Sequence, residues 1–218
     1  MTKVQTEPKL YTFDEFIEWY PENSEVRYEL HDGVIIEMPK PKGKHSKLTG
    51  FLILELGITI REIGNRGNWF IPRKSIVKPH RDKSGYEPDI IILNEETIGT
   101  ETRWETQSII QNATSVKLSV KLIVEVVSTN WQDDYYDKLR DYEGMGIPEY
   151  WIVDYAALGG RDFIGYPKQP TIFVCELIDR EYVKTIFRKN DLIKSPTFPQ
   201  LNLTAQQIFD SVSREKEA

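Results

Sequence analysis

One acid inside an apolar run constrains this chain more than any other feature. The segment KLIVEVVS (121–128) is β-branched and aliphatic through its middle except for Glu125. Such a run reads as a strand buried on both faces. A carboxylate there needs a partner, because an unpaired buried charge is strongly destabilising. Two flanking segments offer partners. Upstream, EPDIIIL (87–93) puts Asp89 at the mouth of a second apolar strand, with Pro88 fixing the backbone before it. Downstream, 134–154 reads as a helix, a stop at Gly146 and another strand. On that helix Asp134, Lys138 and Tyr142 recur at i, i+4, i+8, on one face. Asp89, Glu125 and Lys138 are therefore expected to converge. Spacing alone leaves plainer assignments open: a turn or cap residue for Asp89, and a surface ion pair worth about 0.3–0.5 kcal/mol for Asp134 and Lys138.

The remaining chain supplies a frame for these segments. Residues 1–10 read as a flexible lead and 11–218 as one domain. Thr12 and Glu15 predict a capping box opening a short helix to Tyr20. Residues 26–38 predict a hairpin around Asp32-Gly33, with Arg27, Glu29 and His31 on one strand face. A solvated face is the plain alternative for Glu29. A lysine-rich loop (39–44) precedes a helix expected over 46–63, with Ser46 as its N-cap and Gly64 as its stop. Residues 69–78 predict one strand, at an edge or bulged because of Pro72. Arg73, Lys74, Lys78, His80, Arg81 and Lys83 form the most basic stretch, read as a solvated face before a DNA contact. The polar segment 94–119 is too long to be structureless and is expected to hold a lid, a partner contact or a short helix. A strand at 149–155, a hairpin over 171–187 and a helix over 203–217 complete the order. The pattern is mixed α/β: a central mixed sheet flanked by helices, with added N- and C-terminal hairpins.

Composition excludes several classes. Net charge is −6 with a pI near 5.3, unlike a binder driven by a basic surface. Cys175 is the single cysteine, so no intrachain disulfide forms, and a reducing, cytoplasmic location is expected. Three scattered histidines argue against a Cys/His zinc site. No apolar stretch is long enough for a membrane span, and the opening residues lack the apolar core of a signal peptide.

Two acids and a lysine are the minimum parts for metal-assisted phosphodiester hydrolysis. The acids hold a Mg²⁺, and the lysine adds a positive charge near the developing negative charge or orients water. The motifs RYELHDGVIIEM, the following His45, EPDIII, LIVEVVS and the DxxxK…GIPEYWIVD block resemble, in register over about 12–154, the Uma-two family of endonucleases. That family belongs to the restriction-endonuclease-like, PD-(D/E)XK superfamily. The resemblance implies a restriction-endonuclease-like core, Asp89 and Glu125 as metal ligands for Mg²⁺ (or Mn²⁺), and a DNA substrate. Val127 stands where the superfamily's usual lysine would fall. The resemblance implies that Lys138 takes over, that Glu29 assists, and that Asp134 and Tyr142 support the site. His45 and Gln132 are candidates without assigned chemistry. A catalytically degenerate module binding nucleic acid or a protein partner is the alternative. The 171–187 hairpin is expected to pair across a two-fold axis in a homodimer, giving two sites.

Overall fold

The computed structural model describes residues 9–21, 26–111 and 113–213. Most of the expected lead, and the end of the expected C-terminal helix, lie outside these residues. Helix α1 (Phe13–Trp19) carries the predicted Thr12–Glu15 capping box. Strands β1 (Arg27–His31) and β2 (Val34–Met38) form the predicted hairpin. Asp32 and Gly33 both have positive φ, 47° and 86°, as a two-residue type I′ turn requires. Helix α2 (Gly43–Glu62) starts three residues earlier than predicted. Lys42, not Ser46, is its N-cap, and no side chain caps it.

The predicted 69–78 strand is divided. Its ends form β3 (Trp69–Phe70) and β4 (Ile76–Val77), which join different sheets. Pro72 lies between them and lacks the N–H a continuous ladder needs. Strand β5 (Ile90–Asn94) follows. Segment 94–119 folds as α3 (Glu95–Ile98), α4 (Trp104–Gln107), β6 (Ile109–Ile110) and α5 (Ala113–Ser119). Ile98, Ile109, Ile110 and Val116 are buried, so this segment is packed wall rather than lid.

Strand β7 (Val120–Val126) is the predicted central strand. The following helix differs in its first turn, which is π-helical over Asp133–Asp137 and becomes α6 (Lys138–Met145). Gly146 ends it at φ 76°. Strand β8 (Glu149–Asp154), the short helix α7 (Arg161–Ile164), β9 (Thr171–Ile178), β10 (Glu181–Phe187) and α8 (Ala205–Asp210) complete the described chain. The C-terminal hairpin does not stand apart, because β9 and β10 continue the central sheet.

That sheet has the order β10-β9-β8-β7-β5-β3, with β7 and β8 parallel and its other pairs antiparallel. It is the mixed sheet expected, covered on both faces. Alternation along the strands sorts the core. Ile90, Ile92, Leu122, Val124 and Val126 face Leu48, Leu52 and Leu56 of α2 and Ile208 of α8. Ile91, Leu93 and Ile123 face Tyr142 and Met145 of α6 and Val116 of α5. Glu125 shares its parity with Ile123 and so points toward α6. A smaller cluster of Phe13, Phe16, Leu30 and Ile109 fixes the β1–β2 hairpin. Leu30 and Gly85 exchange two 2.9 Å backbone hydrogen bonds, tying β1 to the chain entering β5. Gly85 is required there, since a Cβ would lie 2.7 Å from Phe13 Cε2. No described helix is long and apolar enough to cross a membrane.

Candidate active site

Four elements deliver the site. In β5–β7 pairing Ile90 faces Val124, so Asp89 and Glu125 stand opposite each other one step further along. The hairpin brings Glu29 to the same place, and the π-to-α helix brings Asp134 and Lys138. Burial sets the chemistry: Glu29 is 0% exposed, Glu125 2% and Lys138 3%. The surface ion pair and the solvated strand face are thereby excluded for Lys138 and Glu29.

Lys138 Nζ lies 3.1 Å from Glu125 Oε1, 3.3 Å from Glu29 Oε1 and 3.7 Å from Asp134 Oδ1. The Tyr142 hydroxyl donates to the same Glu125 Oε1 at 3.0 Å. Glu125 Oε2 receives neither bond. Glu29 Oε1 also accepts from Glu87 N at 3.1 Å, and its Oε2 meets His31 Nε2 at 2.9 Å. Tyr86 holds its ring 5.7 Å from Lys138 Nζ, and its hydroxyl donates to Asp141 at 2.7 Å. Arg81, from the basic stretch, is used up on Asp141 and Asp32. Lys78 pairs with Asp82. Arg73, Lys74, His80 and Lys83 stay exposed, so that stretch is the solvated face expected, and none of it lines the cavity that Asp89 and Lys138 share.

Asp89 is held on both oxygens. Its Oδ2 accepts from Val126 N at 2.9 Å and lies 3.3 Å from His45 Nε2. Its Oδ1 is 3.3 Å from Arg27 Nη1. His45 Nε2 is also 3.0 Å from the Val126 carbonyl, which can only accept, so Nε2 carries the hydrogen. His45 thus acquires a role the sequence left open: it braces Asp89 against the end of β7. Gln132 is exposed and outside the cavity wall.

Electrostatics separate the two acids beside the lysine. For Glu29, burial opposes ionisation, but Lys138 and His31 outweigh it and hold the carboxyl at about 2. Burial, together with the Asp89 and Glu29 charges, outweighs Lys138 at Glu125 and pushes it up to about 7. One ammonium between two carboxylates cannot offset both fully. Asp89 lies at about 2, because His45, Arg27 and the Val126 N–H overcome its burial. Asp134 is raised well above its ordinary value by burial and the neighbouring acids. Lys138 is raised despite burial by Glu125, Glu29 and Asp134, so it keeps its proton.

Arg27, His45, Asp89, Glu125, Asp134 and Lys138 line one cavity of about 330 Å³. Lys40 and Lys42 of the basic loop and Tyr155, Ala156 and Leu158 complete its rim. Buried Asp154 fixes the Leu158 end of that rim, its carboxylate accepting from Leu158 N, Gly159 N and the Tyr135 hydroxyl. Among the described residues no group of three or more His, Cys, Asp or Glu is arranged to hold a metal ion. Two carboxylates suffice for Mg²⁺, which keeps several waters. Asp89 and Glu125 are hard oxygen donors on one cavity wall, and this donor set fits Mg²⁺ or Mn²⁺ rather than zinc.

A mixed sheet wrapped by helices, with acids at the ends of adjacent central strands, defines the class of restriction-endonuclease-like nuclease folds. A family model described as "Putative restriction endonuclease", Uma2, matches residues 13–206, and the chain belongs to that family. No curated protein matches it. The fold is similar to a crystal structure described as a putative nuclease belonging to DUF820 from Anabaena variabilis. The two share 20% identity with a TM-score of 0.66, over 93% of this chain and 99% of the other.

Proposed function

We propose that the protein is a metal-dependent endonuclease that hydrolyses DNA phosphodiester bonds with water. The observation that carries this reading is the buried Lys138 ammonium held between Glu125 and Glu29 on the wall Asp89 shares. A lysine so deeply buried is expensive to keep unless its charge is used or fully matched. Here its hydrogen-bonded neighbours keep it protonated, ready to donate to a phosphoryl oxygen or to orient the attacking water.

Asp89 and Glu125 would hold the metal. When bound, Mg²⁺ offsets phosphate charge, activates water and stabilises the leaving oxygen. His45 and Val126 N fix Asp89, and Tyr142 fixes Glu125 through Oε1. Glu29 acts by fixing and charging Lys138, and Asp134 backs the same ammonium. Lys40 and Lys42 supply positive charge at the cavity mouth, where an acidic protein must attract a polyanion locally. Strand β10 is a sheet edge that leaves Val183 50% and Ile186 44% exposed, which supports pairing of two chains there; light scattering tests this.

The test is a comparison of end-labelled duplex DNA and RNA with Mg²⁺ or Mn²⁺, using wild type and Lys138→Ala. The variant should lose rate on DNA by a larger factor than it loses metal affinity. Equal loss of both would make Lys138 structural. Normal folding with no cleavage and no metal binding would favour the binding module.

A further inference from the structure

Arg27 is a site cation to which pattern and resemblance assign no role. It lies two residues before Glu29 on β1, so alternation sends both side chains to the same side. Its side chain is 23% exposed and lines the cavity with Asp89, Glu125 and Lys138. Nη1 donates to Asp89 Oδ1 at 3.3 Å, and among the described residues the guanidinium makes no other hydrogen bond. Nε and Nη2 meet no hydrogen-bond partner among the described residues.

The partners of Asp89 differ in how easily they leave. Val126 N–H belongs to the backbone of β7. His45 Nε2 is tied to the Val126 carbonyl as well as to Asp89. Among the described residues Arg27 hydrogen-bonds Asp89 alone, by a long side chain that reaches the open cavity, while the charges of Glu29, Glu125 and Glu87 attract it from further off and keep it in the site. A divalent cation seeking Oδ1 meets a guanidinium already there, and two cations cannot share that oxygen at bonding range without strong repulsion. A released guanidinium stays in the cavity, where its planar fork matches two oxygens of a phosphodiester.

Resting on the nuclease reading, we infer that Arg27 is a displaceable counter-ion. It neutralises Asp89 while no metal is bound, gives up Oδ1 to a divalent cation, and then binds a non-bridging oxygen of the scissile phosphodiester. Metal loading and phosphate binding are thereby coupled through one side chain. The assignment predicts an effect opposite to that of a simple positioning residue. Removing the charge of Arg27 helps the metal bind and harms the DNA.

The experiment is calorimetric titration of Mn²⁺ into the full chain without DNA, for wild type, Arg27→Gln and Arg27→Lys. Gln keeps a donor for Asp89 and loses the charge; Lys keeps the charge. Arg27→Gln should bind Mn²⁺ roughly tenfold more tightly, the order expected for removing one adjacent like charge in a partly wet site. Arg27→Lys should stay near wild type. With Ca²⁺ in place of the cleaving ion, Arg27→Gln should show a salt slope for duplex DNA smaller by about one phosphate contact. Weaker or unchanged Mn²⁺ binding by a folded Arg27→Gln, beside a wild type that binds Mn²⁺ and cleaves, overturns the Arg27 assignment alone. Absence of Mn²⁺ binding in wild type and Arg27→Gln alike overturns the nuclease reading with it. The wild type gives a readout independent of variant folding. Its Arg27 Nε–H resonance should shift when Mg²⁺ is added, and an unmoved resonance overturns the displacement.

Discussion

Replacing Lys138 with Met removes the ammonium that Glu29, Glu125 and Asp134 share while nearly keeping the side-chain volume. The three contacts span 3.1–3.7 Å, and Lys138 and Glu125 side chains are each 3% exposed. An exposed pair of this kind contributes about 0.3–0.5 kcal/mol. Removing one member of a buried pair instead destabilises by about 3–5 kcal/mol, because the other charge is left uncompensated. The loss also has a sign in pH. Glu29 lies at about 2, below the ordinary carboxylate value of 4.5. A depressed carboxyl contributes stability that is present above the ordinary value and is lost as pH falls toward 2. That contribution depends on Lys138, so Lys138→Met should be penalised most at pH 8. Its deficit should shrink as acidification protonates the orphaned acids. Guanidinium unfolding followed by tryptophan fluorescence at pH 8 and pH 5 measures both. The expected deficit at pH 8 corresponds to a Tm lower by about 10 °C. A deficit under about 1 kcal/mol at pH 8 would refute the buried-charge reasoning.

Further outcomes follow from individual groups. Glu125, raised to about 7, contributes stability fully below 4.5 and loses it as pH rises through 7, so without metal Glu125→Gln should be more stable than wild type at pH 9 and equal to it at pH 4.5. Equal thermal melts at both pH values would sink that assignment. Mn²⁺ affinity of wild type should rise through the same window, which a pH series of titrations checks. Asp89→Asn keeps an oxygen for Val126 N and should retain the fold by circular dichroism while losing cleavage; full activity would remove Asp89 from the reaction. Gly85→Ala pushes a methyl against buried Phe13 and should cost about 1–3 kcal/mol by chemical denaturation, and a neutral result would contradict the tight hairpin contact.

Much of the candidate site could be read from residues because its acids break local rules. Glu125 in an aliphatic run and Asp89 behind a proline stand out on pattern alone. The β5–β7 register then places them opposite each other, as two adjacent apolar strands predict. Arg27 and His45 were harder. Arg27 sits on a strand whose alternation fits a solvated face equally well, and His45 lies 81 residues from the carbonyl it donates to. Such long-range contacts leave no periodicity. Secondary structure failed where tertiary packing overrode local signals. Pro72 split one apparent strand between two sheets. The first turn of the Asp133–Met145 helix opened into a π turn, in which Lys138 N donates to Asp133 O. Helix α2 began at an uncapped Lys42 despite a good capping residue further on.

The measurement that bears most directly on the central claim is nicking of supercoiled plasmid DNA in Mg²⁺ and in Mn²⁺, with wild type and Glu125→Ala prepared side by side and EDTA controls. The account predicts metal-dependent nicking by wild type, abolished by EDTA and by the substitution, with both proteins folded. Equal nicking by Glu125→Ala, or nicking that persists in EDTA, would contradict it.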